Sequence, residues 1–212
     1  MGRFHLPRVR NSPAMRAWHD QRAAQLVEFA VSLPLLVVFV VGIFDFSGAF
    51  TIKQKLTNAA RDAARVAAAD PANDVPPPSA AIPASIADAF QAVDNSLIAN
   101  QLNDCGITQG NLSQGSGNGA MTWSASAAGC PPTAGLISIT INRGYVFPQT
   151  AAQNPSVNCT SQFPVGQTAE IGTCVSLQYS YPWRFGRVAS LLGATTGLPG
   201  TITATAVAMN EN

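Results

Sequence analysis

The apolar and polar positions near the start of the chain form a run of membrane-spanning length. Residues 29–44 contain no charged residue and are flanked by two acids, Glu28 and Asp45. These 16 residues would rise about 24 Å as a helix, whereas the hydrocarbon core of a bilayer is ~30 Å thick. The pattern therefore predicts a transmembrane segment at about residues 26–50, with one or both acids at or inside the lipid boundary.

Helical periodicity continues after this run. Apolar residues recur at spacings of three and four on one face, and charged or amide residues occupy the opposite face. The apolar face contains Ile52, Leu56, Ala59, Ala63 and Val66, and the polar face contains Asn58, Arg61, Asp62 and Arg65. We expect one long helix over residues 24–70, with its second half outside the membrane. This continuation argues against a cleaved secretory signal, as does the lack of a small-x-small cleavage site after the run.

The second half of the chain changes to a period of two. Five prolines between residues 71 and 83 predict a linker over residues 71–84. Ser85 and Asp88 resemble a helix capping box before a short amphipathic helix, and residues 110–119 read as a loop. Apolar and polar residues then alternate at 137–142, 175–181 and 201–209, which is typical of an antiparallel sheet with one polar face. The predicted fold class is α+β, with a short helix and a small antiparallel sheet of three or four strands in an exported domain over residues 85–212.

Charge changes this picture by giving the span a direction. The net charge is only +1, but residues 1–22 contain five arginines and one acid, whereas residues 75–212 contain three basic and five acidic residues. The positive-inside rule keeps the N-terminus in the cytoplasm and places the C-terminal domain outside. A net charge this close to zero gives no field that would attract nucleic acid.

The cysteines agree with an exported domain. All four, Cys105, Cys130, Cys159 and Cys174, lie after the span. An even number on one side of a membrane favours disulfides in an oxidising compartment, and no CxxC or CxxH spacing supports a metal site. Three connectivities remain open, of which proximity in sequence favours Cys105–Cys130 with Cys159–Cys174.

Candidate catalytic chemistry is sparse. Both histidines, His5 and His19, precede the span, so the exported domain has no imidazole base. Arg143 and Glu170 are lone charges of the kind found at surfaces or strand edges. We expect no enzyme activity, no cofactor, no metal and no small-molecule substrate.

The N-terminal motifs resemble the TadE-like family, the minor pseudopilins of tight-adherence (Flp-type) pilus systems. The shared features are Val27-Glu28-Phe29, Leu33-Pro34-Leu35, Asp45-Phe46, the alanine-rich "NAARDAAR", and the C-terminal "YPW" and "ITATAVAMNEN". The resemblance implies that a prepilin peptidase cuts the Ala23–Ala24 bond, so that residues 1–23 form a cytoplasmic leader and Glu28 becomes the fifth residue of the mature chain. The family usually has glycine before the cut, where this chain has Ala23.

The resemblance also implies roles for the features of the membrane helix. Glu28, with Phe29 beside it, would pair with the free α-amine of a neighbouring subunit; the alternative is that Glu28 reaches the cytoplasmic headgroups. Asp45 marks the outer interface with Phe46 and Phe50 as anchors, or it contacts a basic residue, Lys53 or Arg61, of a neighbour. Pro34 is expected to kink the helix, or it is simply tolerated there.

Two functions remain open from the sequence. The first is a minor pseudopilin in the bacterial inner membrane that takes part in pilus assembly and surface adhesion. Its partners would be membrane lipid, the prepilin peptidase, other pilins or pseudopilins, and the pilus assembly platform. The second is a single-span extracytoplasmic binding module unrelated to pili, which would have no need of cleavage at Ala23–Ala24.

Overall fold

The fold is α+β, as the sequence pattern predicted. The computed structural model describes residues 21–71, 81–115, 121–130, 135–147, 159, 170–186 and 199–211. In these ranges a long N-terminal helix is followed by a shorter helix and a five-stranded antiparallel sheet. The chain divides into two compact units. The N-terminal unit contains the chain up to Asp45 and the segment that begins at Arg184, and the C-terminal unit contains Phe46–Trp183 and the end of the chain.

Helix α1 runs over Gln21–Ala69, close to the expected range. Alanine and leucine favour the helix over much of its length, and it continues through Pro34 and the valine- and phenylalanine-rich run that follows. It ends at Ala69 because Pro71 disfavours helical geometry at the residue before it. Most of the predicted linker, residues 72–80, lies outside the described residues.

The first half of α1 has the character of a membrane span. An 18-residue window has a mean hydropathy of 2.6, and 0% of that window is buried within the protein. Among the described helices, α1 is the one that is long and apolar enough to cross a bilayer. Its large apolar side chains are more than half exposed at several positions, including Leu26, Phe29, Leu35, Phe39 and Phe44.

The second half of α1 packs through a stripe of small residues. Leu56 is buried with six alanines, which are Ala59, Ala60, Ala63, Ala64, Ala67 and Ala68. The predicted face was partly wrong, because Val66 is 39% exposed. Alanines let the helix backbone come close to its neighbours, so the buried face is centred on them, and Val66 falls at its edge.

Helix α2 runs over Ala84–Ala99 and buries Ile86, Ala89, Phe90, Val93 and Leu97. The predicted capping box is wrong. Pro83 is the N-cap residue, no side chain caps the helix, and Ser85 is buried inside its first turn. The Pro83 carbonyl accepts from the N–H groups of Ile86 and Ala87, so the helix begins two residues earlier than the box requires.

The sheet is an antiparallel meander in the order β1-β2-β3-β4-β5. The strands are β1 (Ser113–Gln114), β2 (Thr122–Cys130), β3 (Gly135–Val146), β4 (Ile171–Ser180) and β5 (Thr201–Met209). The expectation of three or four strands was therefore too low, and β1 lies in the stretch predicted as a loop. Strand β2 alternates serine with alanine, which gives too little contrast in hydrophobicity to be recognised.

One face of the sheet forms the core with the helices. Ile137, Ile139 and Ile141 of β3 and Val175 and Leu177 of β4 are at most 1% exposed. They belong to one cluster with Leu56 and the alanines of α1 and with the buried face of α2. The alternation predicted for β3, β4 and β5 thus places its apolar positions in the core.

Candidate functional site

The predicted cleavage bond, Ala23–Ala24, lies within α1, whose described part starts at Gln21. Residues 1–20 of the predicted leader lie outside the described residues.

Glu28 is on the exposed part of α1. Its side chain and that of Ala24 are exposed, and Phe29 beside it is 64% exposed. The Ser32 hydroxyl donates to the backbone carbonyl of Glu28 at 2.6 Å. Within a single chain, therefore, Glu28 and Phe29 are presented on the surface of the helix.

Asp45 has the opposite environment. It is only 5% exposed, and its Oδ2 accepts a hydrogen bond of 2.8 Å from the Phe185 N–H. Residues 184–186 are helical, and the first N–H groups of a helix have no partner within the helix. A carboxylate is a favourable acceptor at such a terminus. Asp45 thus caps a helical segment 140 residues away. The sequence had suggested either a marker of the outer interface or a contact with a basic residue of a neighbour, and neither interpretation included this contact.

A glycine lets Phe185 approach α1. A Cβ built on Gly42 would lie 3.4 Å from two carbon atoms of the Phe185 ring. Gly42 precedes Asp45 by about one helical turn, so both residues face the same segment. A larger side chain at Gly42 would push the ring, and with it the donor to Asp45, away from the helix.

Phe46, the other half of the acid-phenylalanine pair, contacts the "YPW" segment within the C-terminal unit. Its ring centroid is 5.2 Å from that of Trp183, and Trp183 is 4.9 Å from Tyr181 in an edge-to-face arrangement. A Cβ built on Gly48 would lie 2.8 Å from the Tyr181 hydroxyl. The two family-like motifs therefore contact each other, and any side chain at position 48 would force the Tyr181 hydroxyl to move.

Two lysines join α1 to the rest of the C-terminal unit. Lys53 Nζ donates to the carbonyl of Thr203 in the edge strand β5. Lys55 Nζ donates at 2.9 Å to the carbonyl of Asn100, the C-cap residue of α2. A cation there is favourable because the C-terminus of a helix carries partial negative charge. Unpaired backbone groups at the edge of a sheet favour pairing with another chain. The Lys53 side chain engages one carbonyl of the edge strand β5.

Arg143 is not the surface charge that the sequence suggested. It is 2% exposed, and its Nη2 donates at 2.8 Å to the carbonyl of Asp70, just beyond α1. Asn210 donates from Nδ2 to the Arg143 carbonyl at 3.2 Å and accepts at Oδ1 from the Thr173 hydroxyl at 2.7 Å. The Glu211 N–H donates to the Ala68 carbonyl at 2.9 Å. The family-like C-terminal residues thus hold the end of α1 against β3 and β4.

Disulfide chemistry is present in the C-terminal unit. Cys159 is bonded to Cys174, the pair that proximity in sequence favoured, and both are buried with Tyr145. Asn142 Nδ2 donates at 2.8 Å to the Cys159 carbonyl. Cys105 is also disulfide-bonded. The side chain of Cys130 lies outside the described residues, so its pairing stays a prediction.

One acid of the C-terminal unit has a perturbed pKa. Burial raises the pKa of the Asp94 carboxyl above its ordinary value, and the negative charge of Asp104 raises it further. The described part of the chain contains no group of three or more His, Cys, Asp or Glu side chains that could hold a metal ion. The family-like motifs therefore form contacts between α1 and other segments of the chain.

Comparison with known proteins bears on the N-terminal helix. No curated protein and no solved structure matches the chain. A family model described as TadE-like protein matches residues 23–65. The matched range includes Glu28, Pro34, Asp45, Phe46 and Lys53, whose environments are described above. Over residues 23–65, this chain is similar to the TadE-like protein family.

Proposed function

We propose that the protein is a membrane-anchored minor pseudopilin that takes part in assembly of a tight-adherence (Flp-type) pilus and in surface adhesion. The observation that carries the proposal is the TadE-like match at residues 23–65. This range includes the predicted cleavage bond, Glu28 and the uncharged run in one helix. The protein would lie in the bacterial inner membrane with its N-terminus in the cytoplasm and its C-terminal unit in the periplasm.

The exposed half of α1 supports this role. Within the described residues, 0% of its 18-residue apolar window is buried. An apolar surface of this extent requires lipid, other subunits, or each in turn. A pseudopilin meets lipid before assembly and neighbouring pilins afterwards. The Cys159–Cys174 disulfide agrees with an extracytoplasmic location for the other unit.

The proposal includes processing by a prepilin peptidase at Ala23–Ala24, a bond that lies within the TadE-like match. Cleavage would create a charged α-amine at Ala24. Glu28 would then lie four residues, or about one turn, from the new N-terminus.

The exposed Glu28 carboxylate supports an intermolecular role. A charged side chain costs about 2.5–3.5 kcal/mol at the centre of a spanning helix and less near an interface. Pairing with the α-amine of a neighbouring subunit would offset this cost for both charges and fix the register of the two helices. Phe29 would pack beside the pair.

Glu28→Gln tests the proposal, because the amide keeps the shape of the side chain and removes its charge. We expect normal membrane levels and normal cleavage, with fewer pili counted by electron microscopy. The lost charge-assisted hydrogen bond would be worth roughly 1–3 kcal/mol at each subunit contact.

Ser32→Ala is the matched control, because Ser32 is exposed one turn further along the same face and bonds only its own helix in the contacts described here. It should leave piliation unchanged. Normal piliation in the Glu28→Gln strain, at normal protein levels, would contradict the pairing. An anchored binding module unrelated to pili would tolerate both changes.

A further inference from the structure

Four aromatic residues form a partly exposed surface on the C-terminal unit, which we call the aromatic patch. It contains Phe46, Phe50, Tyr181 and Trp183. Phe46 is 51% exposed and Phe50 is 63% exposed, and they lie one helical turn apart on α1. Trp183 packs against both Phe46 and Tyr181, with ring centroids at 5.2 Å and 4.9 Å. A surface this apolar on an exported domain requires an explanation.

Hydrogen bonds position the two amphipathic residues of the patch. Trp183 donates from Nε1 to the Pro199 carbonyl at 2.6 Å, which orients its ring. The backbone N–H of Tyr181 donates to the Gly200 carbonyl at 3.1 Å, and the Tyr181 hydroxyl lies close to Gly48. Each of these side chains has both polar and apolar surface. Tryptophan and tyrosine with this character are enriched where a membrane meets water.

The patch lies at the level where the hydrocarbon would end. A helix needs about 20 residues to cross a ~30 Å core. Counted from Glu28 at the cytoplasmic boundary, this distance ends near Gly48, between Phe46 and Phe50. Lys53 follows within about one further turn and donates to a backbone carbonyl, which suits the polar side of the interface.

We propose that the aromatic patch binds lipid at the outer surface of the bilayer. Phe46 and Phe50 enter the acyl region, and Trp183 and Tyr181 lie among the headgroups. Lipid is the partner because the length of α1 ends the hydrocarbon between Phe46 and Phe50, and because tryptophan and tyrosine favour that level of a membrane. This inference rests on the membrane span of the proposed function, and it adds a lipid-binding surface outside that span.

Quenching of tryptophan fluorescence by brominated lipids tests the patch. The full chain is reconstituted into phosphatidylcholine vesicles whose acyl chains carry bromine either near the headgroup or near the methyl end. The chain has three tryptophans; Trp18 is replaced by Phe, and Trp123 is 3% exposed in the core. The difference between this background and the same background with Trp183→Phe isolates the emission of Trp183. We expect Trp183 to lose most of its emission with the shallow bromine and little with the deep one.

A second reporter separates this inference from the proposed span. Phe39→Trp, at a position 63% exposed within the apolar run, should be quenched mainly by the deep bromine. Quenching of this reporter without quenching of Trp183 would overturn the lipid-bound patch and leave the span intact. Quenching of neither would overturn both. The Trp183 emission could instead change with the protein-to-lipid ratio and not with the bromine position. That result would mean that a second copy of the chain covers the patch, and it would also overturn the proposal.

Discussion

Glu28 and Asp45 bound the same apolar run, yet they have opposite environments. Asp45 is 5% exposed, and its carboxylate accepts a hydrogen bond from the Phe185 N–H of the same chain. Glu28 is exposed on α1. Because an acid in an apolar segment is costly, each needs a compensating contact. For Asp45 that contact is intramolecular, and for Glu28 we propose a neighbouring subunit.

Replacing Asp45 should loosen the segment that begins at Arg184. Asp45→Ala removes the acceptor from the Phe185 N–H, which we expect to cost about 1–3 kcal/mol of local stability. Hydrogen–deuterium exchange of the peptide containing Phe185, in detergent-solubilised full chain, should become faster by roughly tenfold or more. Asp45→Asn is the control, since its amide oxygen can still accept. Unchanged protection in the Asp45→Ala variant would show that the hydrogen bond does not hold this segment.

The raised pKa of Asp94 predicts that the stability of the fold depends on pH. Its pKa is raised above 3.8 in the folded chain, by burial and then by Asp104, so the folded state binds the proton more tightly than the unfolded state does. The resulting stabilisation is fully present below pH 3.8 and is lost as the pH rises through the folded pKa. Asp94→Asn should therefore unfold at a higher temperature than wild type at neutral pH. This advantage should shrink as the pH approaches 3.8, and an advantage independent of pH would contradict it.

The site residues differ in how far the sequence could identify them. Glu28 and Asp45 stood out because charges are rare in apolar helices. The partner of Asp45 could not be derived, since Phe185 is 140 residues away and no local pattern links them. Gly42 and Gly48, which flank Asp45 on α1, were a usable signal of close approach by another segment. Arg143 was misassigned because its guanidinium donates to the Thr173 hydroxyl and the Asp70 carbonyl, which are 30 and 73 residues away and which no local pattern links to it.

At the scale of elements, the strongest patterns were the best predictors. Helix α1 and strands β3, β4 and β5 follow clear periods of 3.6 and two. Strand β2 has serine and alanine at most positions, so its inward and outward faces differ little in hydrophobicity. Strand β1 has two residues and exists through its pairing with β2. Strands β1 and β2 both depend on tertiary contacts, which the local alternation of apolar and polar residues does not reveal.

The alanine stripe of α1 should be sensitive to added volume. Ala60 is 0% exposed, so Ala60→Leu forces extra methylene groups into a filled space. We expect a loss of about 1–3 kcal/mol in the free energy of unfolding, measured by urea titration of the solubilised full chain with Trp123 fluorescence.

Val66→Leu provides the matched control for this substitution. Val66 lies on the same helix but is 39% exposed, and its replacement should change the free energy of unfolding by less than about 0.5 kcal/mol. Equal effects of the two substitutions would mean that the stripe is not the packed face.

At the scale of the whole molecule, one helix serves two environments. Its first half has the exposed apolar surface of a span, and its second half is part of the core of the C-terminal unit. Lys53, Lys55 and the Arg143 network fasten that second half to β5, α2 and the strands β3 and β4. On the proposed function, the first half of this helix would contact lipid and other subunits, and the second half would belong to the exported domain.

The central claim, that this helix is a processed pseudopilin helix, is tested most directly by the N-terminus of the mature chain. The intact mass of membrane-extracted protein should be measured from cells with and without the prepilin peptidase. The account predicts a chain that begins at Ala24 when the peptidase is present and the full-length chain when it is absent. Full-length protein in both samples would contradict the pseudopilin assignment and leave a membrane-anchored module.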